Sequence, residues 1–173
     1  MYSTDDTIVA VATPPGRGGV ALARLSGPTA LPVALRIAGR AGTLQPRRAT
    51  RVRLRGIDVQ DDALITYFPG PASYTGQDVV EVTTHGSPVV MASIVAAACH
   101  HGARAARPGE FTLRAFLNGK IDLVRLVGDA TAIPDVAARG VQGVHAEVMR
   151  RLMSEGHTEF PNFHEVRTAL ESA

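Results

Sequence analysis

Apolar residues along this chain switch between two spacings, and the switches mark out its elements. Thr7–Ala12 (TIVAVA) is a short apolar run that predicts a buried strand. Thr13–Gly19 (TPPGRGG) holds two prolines and three glycines, which favour a tight turn over regular structure. Val20–Ser26 predicts a second strand, with Val20, Leu22 and Arg24 on one face and Ala21, Ala23 and Leu25 on the other. Gly27-Pro28 opens a helix reaching Ala38, in which Leu31, Ala34, Leu35 and Ala38 keep the spacing of a buried stripe. After a loop at Thr43–Ala49, strands are expected over Arg51–Ile57, Ala63–Phe68 and Val79–His85, with a long turn at Pro69–Asp78. Gly86–His101 predicts a helix that tolerates Pro88 in its first turn and stops at Gly102. A short strand over Ala103–Ala106 and a helix over Glu110–Leu117, ended by Asn118-Gly119, complete this part. Strands and helices mix without the steady alternation of a doubly wound parallel sheet, so the expected class is α+β, a mixed sheet with packed helices.

Past Leu123 the pattern weakens. Asp122 is placed to cap a further helix, and Pro134 to start one with a stripe of Val141, Val144, Val148 and Leu152. Gly140 and Gly143 weaken that helix by about 1 kcal/mol each against alanine. Phe163, Val166 and Leu170 suggest a last short amphipathic helix. The expected organisation is therefore a domain over residues 1–123 and a divergent helical tail over 124–173.

Composition narrows the class. The 173 residues are 45% hydrophobic and 20% charged, ordinary values for a globular protein with a core. A net charge of +2 does not by itself imply a nucleic-acid-binding surface. Arg47, Arg48, Arg51, Arg53 and Arg55 form the one dense basic cluster, readable as a solvated strand edge or as an anion or RNA contact. Cys99 is the only cysteine, which rules out an intrachain disulfide and argues against a cysteine metal site. Its apolar helical surroundings predict a small buried hydrophobe. No apolar run approaches the length of a membrane span, and MYSTDDT lacks a basic signal region, so a cytoplasmic location is expected.

Several motifs for chemistry are missing. GRGG at Gly16–Gly19 is no P-loop, because no G-x-x-x-x-G-K-[ST] occurs and Lys120 is followed by Ile121. No G-x-S-x-G nucleophile elbow occurs either. The six histidines lack zinc spacing; His100 and His101 suit a helix C-terminus, and His85 either orders a turn or lines a pocket. Arg24 is a cation on an apolar face, either reaching solvent at a strand end or aimed at a ligand carboxylate. Lys120 is the only lysine. Arg114, four residues after Glu110, reads first as an i, i+4 pair and second as a ligand contact. Phe111 and Phe116 are expected in the core.

Three segments together carry a family resemblance: TPPGRGG at 13–19, FPGPASYTGQDVVEVTTHG at 68–86 and RPGEFTLRAFLNGKIDL at 107–123. They resemble the N-terminal domain of the MnmE/TrmE tRNA-modification GTPases, over roughly residues 5 to 123. The resemblance implies a fold like the folate-binding domain shared with the glycine-cleavage T-protein, a bound tetrahydrofolate in its 5-formyl or 5,10-methylene form, and a homodimer. It implies that Arg24, Glu81 and Lys120 contact the folate, Glu81 accepting from the pterin edge, with the glycines of 16–19 letting the backbone come close. It implies tRNA and an FAD-dependent MnmG/GidA-like protein as partners, in modification of a wobble uridine. The family's GTPase domain and C-terminal cysteine motif are not in this sequence, so no GTP, Mg²⁺ or K⁺ site is expected. The shortness is consistent with an excised or truncated domain, a frameshifted copy or a stand-alone module. Functional alternatives are a dimerisation scaffold with a degenerate pocket and, ranked below it, a folate-dependent aminomethyltransferase, for which no well-placed Asp base is found.

Overall fold

A computed structural model describes residues 4–54 and 60–121. Nine elements follow in the order β1 (Ile8–Val11), β2 (Gly18–Ser26), α1 (Ala30–Ile37), β3 (Thr50–Arg53), β4 (Asp62–Phe68), β5 (Val79–Gly86), α2 (Pro88–His100), β6 (Arg104–Ala105) and α3 (Glu110–Leu117). The fold is α+β, as the mixed spacing predicts. Arg55, the far end of the strand expected at Arg51–Ile57, the Asp122 cap and the helices expected in 124–173 lie outside the described residues.

The six strands form one sheet in the order β3-β4-β5-β2-β1-β6. All neighbours are antiparallel except β1 and β6. The centre is the pairing of β2 with β5, far apart in sequence, which sets Arg24 opposite Glu81 and Leu22 opposite Thr83. Where this ladder starts, Gly18 faces Gly86 beside a bulge. A Cβ on Gly86 would sit 2.1 Å from the Gly18 carbonyl oxygen, so only glycine lets the two backbones approach.

The period-two alternation gives the sheet two unlike faces. Ala21, Ala23 and Leu25 of β2 and Val80 and Val82 of β5 point into the main core, with Val33, Ala34 and Ile37 of α1 and Val90, Met91 and Ile94 of α2. On the opposite face, Val20, Leu22 and Arg24 line up with His85, Thr83 and Glu81. One end of that face is covered by α3 and the turn at 69–78, where Ile8, Val79, Leu113 and Ala115 are buried apart from the main cluster.

Two expectations about burial need correction. Cys99 is exposed, not buried. α2 is apolar on nearly every side, so its periodicity does not say which residues face the sheet; Met91, Ile94 and Ala98 do, and Cys99 does not. Phe111 and Phe116 are only half-buried. The inward side of the short α3 is taken by Glu110, Leu113, Arg114 and Ala115, which leaves the two rings on its flanks.

Candidate functional site on the open face of the sheet

Arg24 and Glu81 are direct cross-strand partners in the middle of the sheet's second face. Arg24 donates to Glu81 Oε1 from Nε at 3.0 Å and from a terminal nitrogen at 2.8 Å. Both side chains are about a quarter exposed (25% and 27%), so the pair is screened from bulk water but open to a ligand. Both bonds fall on one oxygen. A carboxylate has about four acceptor positions, so Oε2, which takes no bond among the described residues, is left to accept from a ligand. Thr66 of β4 is Glu81's other lateral neighbour and supplies a hydroxyl beside it.

The turn at 69–78 builds one wall. Asp78 closes it, accepting from the Tyr67 hydroxyl and the Gly70 amide, each at 2.9 Å. Burial and that bond raise the Tyr67 phenol above its usual range, keeping it a donor. Inside the turn, Ser26 and Thr75 share a buried hydroxyl hydrogen bond of 2.7 Å. This frame holds the Tyr74 ring under the Arg24 guanidinium, 5.1 Å from its carbon to the ring centroid, a cation–π distance. The Tyr74 hydroxyl meets that of Thr112 on α3 at 3.3 Å. Sequence reasoning did not single out Tyr74; an aromatic in a turn of Pro, Gly and Ser was the available signal.

α3 delivers the third residue. At its C-terminus the Gly119 amide bonds to the Phe116 carbonyl and the Lys120 amide to the Ala115 carbonyl, with Gly119 at a φ of 66°. This is a Schellman closure, and it fixes the backbone of Lys120. Asn118 donates to the Thr75 carbonyl at 2.6 Å, clamping the helix end to the turn. A Cβ built on Gly76 would lie 3.4 Å from Cγ of Lys120, so the exposed lysine's stem runs along the same turn that carries Tyr74. The structure thus joins Arg24 and Glu81 directly and sets Lys120 beside the turn that carries Tyr74.

Other candidates are placed elsewhere. Thr13, Pro14, Pro15 and Gly16 line a groove of about 440 Å³ with Val11, Ala21 and Met91. Ala21 points to the helix side, so this groove opens on the face opposite Arg24 and Glu81. His85 is exposed and pairs with Asp61 at 2.7 Å. Arg51 and Arg53 are exposed and flank Asp62 at 2.7 and 3.5 Å.

Arg114 takes the i, i+4 role and more. It and Glu110 are each 1% exposed and 3.1 Å apart. Arg104 grips the same carboxylate at 2.7 and 3.0 Å, and Asp6 joins both arginines, at 2.8 Å from Arg104 and 2.5 Å from Arg114. Burial alone would raise the Glu110 and Asp6 carboxyls, but the arginine hydrogen bonds outweigh it and hold both below the usual range. The network rivets the N-terminal segment and β6 to α3, and so fixes the helix that carries Lys120. Among the described residues there is no cluster fit for a metal ion and no helix long and apolar enough to cross a membrane.

The family described as GTP-binding protein TrmE N-terminus matches residues 7–120. A tRNA modification GTPase MnmE of Legionella pneumophila (strain Corby) is 48% identical over 159 residues, covering 87% of this chain and 35% of that protein. The one from Koribacter versatilis is 50% identical over 129 residues, covering 70% of this chain and 28% of the relative. The one from Nitrosospira multiformis is 40% identical over 174 residues, covering 97% of this chain and 37% of the relative. That coverage carries the similarity well past Leu123, where the sequence reading had ended it. The chain spans about a third of the length of these relatives. With the match over 7–120, the chain belongs to the TrmE N-terminus family.

Proposed function

We propose that this domain binds a tetrahydrofolate, in its 5-formyl or 5,10-methylene form, on the open face of its sheet. Glu81 accepts from the ring N–H and exocyclic amine of the pterin edge. Arg24 and Lys120 balance the negative charges of the ligand, and the Tyr74 ring forms the side wall. The observation that carries this reading is the Arg24–Glu81 pair, about a quarter exposed on the sheet face away from α1 and α2, with acceptor capacity to spare among the described residues. A lone cross-strand ion pair needs no aromatic neighbour; the Tyr74 ring at 5.1 Å from Arg24, on the turn that Lys120 also borders, supports a ligand site beside the pair. The folate would supply a one-carbon unit when bound; this chain's residues hold and orient it. The relatives' names extend the reading to a place in tRNA modification, in which a longer protein of this family acts as a homodimer with a MnmG/GidA-like FAD protein and tRNA in the cytoplasm.

Calorimetric titration of the 173-residue chain with 5-formyltetrahydrofolate tests this. Hydrogen bonds to charged groups contribute about 1.5–3 kcal/mol each, so Arg24→Ala or Glu81→Ala should weaken binding roughly 10- to 150-fold. If the homodimer completes the site, affinity also falls on dilution. No heat at high protein concentration, or variants that bind like the parent, would overturn the reading in favour of a scaffold with a degenerate pocket.

A further inference from the structure

The corner where α1 runs into β3 is a second place with unassigned chemistry. Residues 36–53 contain six arginines and no carboxylate. α1 ends in the same closure as α3, the Gly39 amide on the Arg36 carbonyl and the Arg40 amide on the Leu35 carbonyl, which sets Arg40 at the mouth of the following loop. Arg47 anchors that loop. It has a left-handed φ of 58°, donates to the Ala72 carbonyl and lies 5.8 Å over the Phe68 ring. Arg48 is steadied by Gln45 Oε1 at 2.8 Å. Between them opens a cleft of about 380 Å³ whose polar lining is Arg40, Thr43, Gln45, Arg48, Thr50 and Arg51.

We propose that this cleft binds the phosphodiester backbone of RNA. The argument rests on the tRNA-modification reading for its choice of polyanion, and on the cleft for its chemistry. The Arg40 and Arg48 guanidinium groups offer planar forks that match phosphate oxygens, Arg51 adds a third already held on one side by Asp62 at 2.7 Å, and two hydroxyls and an amide add neutral donors. No carboxylate lines the cleft to repel an anion. No aromatic side chain lines it either, so there is no stacking platform for a base; the contacts position a strand without reading its sequence. The cleft sits at the β3 edge of the sheet, two strands from Glu81 on β5. RNA held here leaves the open face to its small ligand.

The test is fluorescence anisotropy of a labelled, unmodified tRNA transcript with the 173-residue chain, titrated between 50 and 200 mM KCl. Arg40→Gln with Arg48→Gln should weaken binding about tenfold and lower the slope of log K against log salt by about one unit per arginine. Arg17→Gln, which removes one charge from an exposed residue of the 13–19 loop, should leave the slope unchanged, where each cleft arginine lowers it by about one unit. Anionic phosphatidylglycerol vesicles and polyglutamate should compete poorly at equal charge. The proposal is overturned if the parent does not bind at 50 mM salt, if the double variant keeps the parent slope, if Arg17→Gln lowers it equally, or if vesicles or polyglutamate compete as well as tRNA. The 5-formyltetrahydrofolate titration is repeated on the double variant, and its heat should persist. A chain that binds RNA as described and takes no folate sinks only the folate reading; the converse sinks only this one.

Discussion

Replacing Glu110 with glutamine removes one charge from a carboxylate only 1% exposed while keeping its shape. In the native protein Glu110 accepts from two nitrogens of Arg104 at 2.7 and 3.0 Å, from the Arg107 amide at 2.8 Å and from Arg114 at 3.1 Å. A glutamine keeps one acceptor oxygen and turns its NH₂ against donors on the other side. At least two contacts to the former charge are lost. At about 1.5–3 kcal/mol each, or about 3–5 kcal/mol for breaking a buried pair, and discounted for the partial exposure of Arg104, the loss should be about 3 kcal/mol. At roughly 4 °C per kcal/mol for a domain of this size, Tm should fall by about 12 °C. Urea unfolding followed by circular dichroism measures the difference, with Asp62→Asn as reference. That residue's arginine partners are exposed and solvent-screened, so its loss should cost far less. The gap also depends on pH with a definite sign. The folded-state carboxyls of Glu110 and Asp6 are depressed, so their contribution is complete above the ordinary carboxylate range and is lost as pH falls through their folded values. The parent should therefore converge on the variant below about pH 4. If Glu110→Gln costs no more than Asp62→Asn near neutral pH, the network does not hold α3 in place and the reasoning fails.

Two further outcomes are expected. Gly86→Ala should destabilise the domain by about 3 kcal/mol or more, because its methyl would meet the Gly18 backbone at 2.1 Å and force the central strands apart; a soluble variant with the parent's urea midpoint would contradict that. Cys99 should react stoichiometrically with a thiol reagent in the folded state, and Cys99→Ser should change stability by less than about 0.5 kcal/mol; a thiol that reacts only in urea would restore the buried reading.

Much of the fold was legible because its strands alternate cleanly and its helices end at glycines. The period-two reading of Val20–Ser26 already separated Arg24 from the core face, and the structure keeps that division. The pairing of Arg24 with Glu81 was not legible from spacing, since it depends on the register of two strands far apart in the chain; the family resemblance alone named both. Of the buried network, only the Glu110–Arg114 spacing was visible. Asp6 lies in irregular chain and Arg104 in a two-residue strand, where no periodicity points inward. Cys99 was misjudged because α2 is apolar on all sides, and composition without a stripe carries no orientation.

The long separation between β2 and β5 also bears on how the protein is made. Arg24 and Glu81 are 57 positions apart, and Lys120 comes later still, just past the end of α3. A ribosome must therefore release nearly the whole domain before Arg24, Glu81 and Lys120 are all in place, so the proposed folate site is absent from every early fragment. Ligand capture during synthesis would then report the moment of complete folding.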